Sequence, residues 1–209
     1  KYRNFKLITA NNVCAHVPNL KDFFKGIKNI LDKDGCMIFE VSYLCDVIKK
    51  LSFDTIYHEH MSYHSVKPLI NFFHSLDLQV FDCERVEAQG GSIRVYVSHK
   101  NRFNINHKKI SSLIKLENSL GLFKSKTYSK YYSRINYQKN KLIKLMSDYK
   151  KKNLKIYGFG APAKLTTFSY VFNIKKDFFE GIVDDSKLKQ NLFTPGKKIP
   201  IISYKKLFK

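Results

Sequence analysis

Two short apolar runs separated by one helix-length amphipathic segment set what this chain can fold into. Phe5 to Ala10 reads as a buried strand, and the polar pair Asn11-Asn12 follows at its carboxyl end. Asn19 with Asp22 three residues later is a capping-box-like start for a helix over Leu20 to Leu31. Its Leu20, Phe23, Phe24, Ile27, Ile30 and Leu31 fall at helical spacing. Asp34-Gly35 turns the chain into a second strand, Cys36 to Val41. Strand, helix, strand is the pattern of a parallel α/β sheet, because the helix returns the chain to the end from which the first strand set out.

The remainder extends that sheet and then starts another. Leu44 to Leu51 reads as a short helix, and Ser65 caps a helix through Ser75 with Val66, Leu69, Ile70 and Phe73 on one face. Strands Leu78 to Val86 and Ser92 to Ser98, joined by the turn Ala88 to Gly91, make an antiparallel hairpin closing one edge. A helix from Lys108 ends at Gly121, and Tyr128 to Lys152 is a long Lys- and Tyr-rich helix read as a solvated connector. A second strand, helix, strand unit follows: residues 154 to 157, the turn Gly158 to Lys164, a helix to Phe172, and a strand from Phe178 to Val183 ending in Asp184-Asp185. The expected division is a domain over 1–125 and a connecting helix with a second domain over 126–209.

With 209 residues, 44% hydrophobic and 14% aromatic, the chain can bury a sizeable core and is not disordered. Its formal net charge of +21 raises nucleic acid as a partner. Arg occurs only at 3, 85, 94, 102 and 134, so Lys supplies 38 − 5 = 33 of the basic residues, spread along the chain with Asn and Ile. That is compositional drift, and no DNA or RNA module signature accompanies it, so no nucleic-acid partner is expected. A milder attraction for anionic ligands remains. Cys14, Cys36, Cys45 and Cys83 show no CxxC pairing and read as reduced thiols of a cytoplasmic protein. No apolar run is long enough to span a bilayer, and no signal segment opens the chain, so no membrane partner is expected. A first residue of Lys and a strand-like opening suggest a chain entered in the middle of a fold.

Chemistry concentrates in Tyr57-His58-Glu59-His60, within FDTIYHEHMSYHS: four proton-handling side chains in a row with no nucleophilic Ser or Cys among them. Phe53, Ile56, Met61 and Tyr63 would surround them with apolar surface able to shift their pKa values. His60 and His64 have the i,i+4 spacing of a metal pair, yet HEHMSYH misses HExxH because Ser62 stands where the second His belongs, so no metal is assigned. GFGAPA in a strand-to-helix turn, with an acid 24 positions after Gly160, is similar to a dinucleotide fingerprint. Pro162 and Lys164 are unusual near a pyrophosphate, although a lysine at a helix start suits a phosphate group. A Rossmann-like unit without a redox cofactor therefore stands ahead of an NAD-type oxidoreductase-like module.

Seven segments carry a family resemblance: ANNVCAHVPNLKDFFKGI, MIFEVSYL, FDTIYHEHMSYHS, QGGSIRVYVS, YGFGAPAK, VDDSKLKQ and PGKKIPI. In this order, covering nearly the whole chain, they resemble the sugar C-methyltransferase family, whose members use S-adenosylmethionine to methylate C3 of a nucleotide-linked 4-keto-deoxysugar. The resemblance implies three parts: an amino-terminal zinc-binding cysteine module, a central class I methyltransferase domain, and a Rossmann-like carboxyl-terminal domain that helps hold the nucleotide sugar. Against that plan the resemblance implies a chain that opens at the fourth strand of the central sheet and stops before the last strands of the carboxyl-terminal domain. It lacks the zinc module and the glycine-rich cofactor loop, which implies that by itself it is inactive. Leu165 also stands where the family commonly has Gly after GAPAK.

The resemblance makes His60 the base at C3, Tyr57 the donor to the enolate oxygen or a member of the proton relay, and Glu59 the group that orients a partner or the sugar. His16 becomes a fourth active-site group, or else an exposed histidine beside Pro18. Ala10, Asn11 and Asn12 would touch S-adenosylmethionine near its methionine moiety. Gly90, Ser92 and Arg94 would bind the sugar or its phosphates, with Arg94 equally placed to be a structural ion-pair partner, and Gly158 and Lys164 would lie on the nucleotide-sugar side. A monomer is expected, and a noncatalytic remnant that binds nucleotide sugar without turnover is the further alternative.

Overall fold

The computed structural model describes residues 4–208 of the chain. It is a mixed α/β structure with two compact units: 1–52 with 58–129, and 53–57 with 130–209. The division falls after Ser129, and the second unit takes in the short segment Phe53–Tyr57.

The first unit is built on a four-stranded sheet of β1 (Phe5–Asn11), β2 (Leu31–Ser42), β3 (Leu78–Val86) and β4 (Ser92–His99), in the order β1-β2-β4-β3. β1 runs parallel to β2, with α1 (Leu20–Ile30) as the crossover, as the apolar spacing requires. β4 pairs antiparallel with both β2 and β3, so the hairpin forms as expected and its second strand lies inside the sheet. Asn19 caps α1 by accepting the Asp22 N–H at 3.1 Å. Phe24 of α1 is the centre of the core: its ring meets Phe39 of β2 at 5.6 Å and Phe73 at 4.7 Å. Each such buried ring contributes roughly 1.5–3 kcal/mol.

Three local expectations change. The strand read as buried is mostly exposed, with Phe5 and Leu7 open to solvent, because β1 is the edge strand and Ala10 alone is buried in it. Asp34-Gly35 is not a turn but an irregular stretch inside β2, where a Cβ on Gly35 would lie 2.6 Å from the Phe5 carbonyl oxygen. Ser65 precedes α3 (Val66–His74) without capping it through its side chain. The cap comes from α4 (His107–Leu120): the buried Glu117 carboxylate accepts the Val66 and Lys67 N–H groups and the Tyr43 hydroxyl at 3.1 Å. Between β2 and α3 lies α2 (Leu44–Lys50). Its buried Asp46 holds the Arg85 guanidinium in a two-pronged pair.

α5 (Ser125–Lys151) begins three residues before its expected start and is largely exposed. In the second unit, β5 (Tyr157–Phe159), β6 (Gly181–Val183) and β7 (Ile201–Ile202) form a parallel sheet in that order, and α6 (Lys164–Val171) follows β5. The expected strand at 154–157 starts only at Tyr157, and the one expected from Phe178 begins at Gly181 after a short 3-10 turn, Lys176–Phe178. Among the described residues, no helix is long and apolar enough to cross a membrane.

Candidate functional site

In the first unit the candidate residues gather at the carboxyl end of β1. Asn11 and Asn12 are exposed there, and Asn12 takes the left-handed conformation (φ 54°) that asparagine tolerates. The Asn12 N–H donates to the Glu40 carbonyl at 2.9 Å, which fixes the exit from the strand. The chain then makes a 3-10 turn, Cys14–His16, ending on an exposed His16. Against it the histidine loop comes back: the Met61 N–H donates to the Ala15 carbonyl at 2.8 Å, and the Ser62 hydroxyl lies 3.4 Å from the Cys14 carbonyl. These contacts bring His16 and His60 ring to ring, with centroids 5.0 Å apart and an edge-on angle of 66°. The Tyr63 ring also lies edge-on to His60, with centroids 6.4 Å apart.

The apolar surround expected for the run does not reach all of it. The His58 and Glu59 side chains, 3.8 Å apart, are 85% and 53% exposed, and Ile56 and Met61 are themselves exposed. His60 is half-buried. Tyr57 belongs to the segment that goes with the second unit. The imidazole that burial perturbs is His64: it is 6% exposed, and desolvation pushes it down from 6.5 to about 4. Its Nε2 lies 3.0 Å from the Ser62 hydroxyl, and its carbonyl accepts the Leu44 N–H at 3.0 Å. Beside it opens an apolar cavity of about 190 Å³ walled by Leu20, Phe24, Leu69 and Phe72. Sequence spacing treated His64 only as a metal partner for His60. The i,i+2 relation of Ser62 and His64, which share a side in extended chain, was the available signal. Among the described residues no group of three or more His, Cys, Asp or Glu is arranged to hold a metal ion.

One row of polar side chains crosses the whole sheet. Asn11 is in register with Glu40, Glu40 with Arg94, and Arg94 with Glu84, so all four share a face. Arg94 donates to Glu40 at 2.9 Å and to Glu84 at 3.1 Å, and the Tyr96 hydroxyl donates to Glu84 at 2.8 Å. Ser92 is buried with its hydroxyl donating to the Ala88 carbonyl, and the Gly90 carbonyl accepts the Lys50 ammonium at 2.7 Å. The hairpin glycine under tightest constraint is Gly91: φ is 128°, and a Cβ would lie 2.5 Å from the Asp46 side chain.

The cysteines are free thiols, with Cys14, Cys45 and Cys83 buried. Burial pushes Cys14 and Cys83 up to about 12, which leaves them poor nucleophiles.

In the second unit, Gly158 is closely packed: a Cβ there would lie 2.5 Å from Ile182 Cδ1 and push that side-chain end aside. The turn that follows is already filled from within the protein. Asp184, at the end of β6, accepts the Ala161 N–H at 2.7 Å and the Ser186 N–H at 2.9 Å, and Lys189 reaches both Asp184 and the Ala161 carbonyl. These N–H donors, Ala161 first, hold the Asp184 carboxyl below the usual carboxylate range. A carboxylate bound where a pyrophosphate would approach the backbone does not suit dinucleotide binding at this turn. Lys164 instead joins Phe53, Asp54, Phe159, Pro162 and Phe168 around a cleft of about 390 Å³. The Phe159 ring is 80% exposed.

A family model described as the C-methyltransferase C-terminal domain matches residues 87–209. The chain is 29% identical over 202 residues to the C-methyltransferase NovU of Streptomyces niveus, a match taking in 95% of this chain and 47% of that protein. The chain thus spans about half the length of the curated relative it matches. Two solved structures are similar to part of it. One is the magnesium protoporphyrin IX methyltransferase ChlM of Synechocystis PCC 6803 with bound SAH, with 8% identity, a TM-score of 0.37, and coverage of 47% of this chain and 46% of that one. The other is the CMeT domain of the citrinin polyketide synthase, with 14% identity, a TM-score of 0.34, and coverage of 47% and 28%. Since the match at residues 87–209 takes in more than half of the chain, this chain belongs to the C-methyltransferase family.

Proposed function

We propose that the protein is an S-adenosylmethionine-dependent C-methyltransferase, cytoplasmic and monomeric, that acts on C3 of a nucleotide-linked 4-keto-deoxysugar. The observation that carries the reading is the placement of His60 edge-on to His16 at the carboxyl end of β1, at 5.0 Å. Methylating a carbon calls for a carbanion equivalent, and a C–H next to a ketone is acidic enough to yield one to a positioned base. An imidazole titrates near neutrality, so His60 takes the C3 proton on its ring nitrogen. His16 fixes the plane of that ring. Tyr57 donates a hydrogen bond to the enolate oxygen as charge develops there, and Glu59 orients the sugar.

The donor set at the end of β1 fits the cofactor. The exposed Asn11 and Asn12 carboxamides offer both donors and acceptors for the amino-acid end of S-adenosylmethionine, with the buried Ala10 just before them in the strand. When bound, that cofactor supplies an electrophilic methyl group. In the second unit, the aromatic-walled cleft beside Lys164 takes the nucleotide part of the substrate, Gly158 holding the strand beside it. Gly90, Ser92 and Arg94 complete the sugar side.

Exchange of the C3 hydrogen with solvent deuterium tests the reading without requiring methyl transfer. His60→Asn should slow exchange and methylation by ~10² to 10⁴-fold while leaving cofactor affinity intact. Exchange at the parental rate in that variant would place the base elsewhere. Nicotinamide reduction by the protein would replace the reading altogether.

A further inference from the structure

We propose that Ser62 and His64 are a positioning pair that sets the His60 ring against His16; the proposal rests on His60 being the base. His60 immediately precedes Met61, and His16 immediately follows Ala15, so the ring contact is governed by how the histidine loop is stitched to the Cys14–His16 turn. That stitch has two parts, the Met61 N–H to the Ala15 carbonyl and the Ser62 hydroxyl to the Cys14 carbonyl. A serine hydroxyl has a single hydrogen to give. If it goes to the Cys14 carbonyl, the contact with His64 at 3.0 Å requires His64 to present Nε2–H and the Ser62 oxygen to accept. His64 thereby fixes the direction in which Ser62 donates.

His64 is suited to that work because it cannot move with the exposed loop. It is buried, it pairs with Tyr43 in a parallel bridge, and its carbonyl receives the Leu44 N–H at the start of α2. The order of constraint runs from the carboxyl end of β2, an interior strand, through His64 and Ser62 to the carbonyl next to Ala15. A half-buried base on an otherwise exposed loop depends on such a support, since misplacing a reacting group by about 1 Å costs about 10² in rate.

The experiment compares Ser62→Ala, Ser62→Thr, His64→Phe, His64→Gln and His60→Asn in the full-length protein, by imidazole NMR, C3 hydrogen exchange and steady-state methylation. The Ala and Phe variants should lower kcat about ten- to hundredfold with KM little changed, and should shift the His16 and His60 ring resonances together. The Thr and Gln variants retain the donors and should recover most of both. Parental ring resonances and kcat in Ser62→Ala, with exchange lost in His60→Asn, would sink the pair alone. Full exchange in His60→Asn would sink the base reading and with it the catalytic role of the pair. Failure of Ser62→Thr to recover the resonances would also overturn the proposal.

Discussion

Glu117 caps a helix that starts 51 residues before it in the chain, its carboxylate accepting the backbone N–H groups of Val66 and Lys67. The same carboxylate receives the Tyr43 hydroxyl, and none of its surface is exposed. Three elements therefore meet on one side chain. Glu117→Ala should cost about 3 kcal/mol or more, because each buried donor left unpaired costs roughly 1–3 kcal/mol. Glu117→Gln, which keeps an acceptor, should cost less. Urea denaturation of both variants checks the order, and equal losses would show that the cap contributes nothing beyond packing.

Gly91 and Gly90 differ in a way that a substitution makes visible. Both have positive φ, but a Cβ at Gly90 meets nothing within 4 Å, whereas at Gly91 it runs into Asp46. Gly90→Ala should cost only the backbone strain, about 1–2 kcal/mol. Gly91→Ala must also displace Asp46 from Arg85 and should lower the melting temperature much further. Similar melting temperatures for the two variants would contradict this geometry.

His64 makes stability depend on acid. Its folded pKa lies below its unfolded value, so between pH 6.5 and about 4 the unfolded chain binds a proton that the folded chain refuses. Stability is thus full above pH 6.5 and falls as the pH drops, by about 2–3 kcal/mol at pH 4.5. His64→Gln removes the titrating group and should flatten that part of the profile. Urea midpoints at pH 7 and pH 4.5 measure the difference, and an unchanged slope would mean that another group carries it.

Asp184 should guard the turn at Ala161. Its carboxyl titrates below the ordinary carboxylate value of 3.8, so its contribution is complete above that value and disappears as the pH falls through the lower folded pKa. Asp184→Asn leaves one acceptor for two N–H donors. Amide hydrogen exchange at Ala161 and Ser186 should accelerate in the variant at pH 7. Unchanged protection at both amides would rule the anchor out.

The sequence carried the order of strands and helices because apolar spacing is local, and it carried the Asn19 and Gly121 helix ends because capping residues act on neighbours. Burial was harder. Phe5 and Leu7 look like core residues, yet exposure on an edge strand is decided by what lies beside it. The cap of α3 was misassigned to Ser65 because the true acceptor, Glu117, lies on another helix. The histidine run was evident from composition. Which imidazole is buried was not, since His64 owes its environment to Leu20, Phe24 and Leu69 brought in by folding.

The pairing of β2 with β4 joins Cys36 to Ser98 and Ser42 to Ser92, and everything from α2 through β3 hangs between them. Closing so long a span is entropically dear at first, but each doubling of its length adds only ~0.6 kcal/mol. Lengthening an exposed connection within the span is therefore tolerable for stability, while the rate of folding is set by how soon the two distant strands find each other. A slip of one residue in that search would send Arg94 to the opposite face, away from Glu40 and Asn11. The histidine loop lies inside that span, so a protein trapped short of the pairing would keep its helices while the loop stayed unanchored at one end.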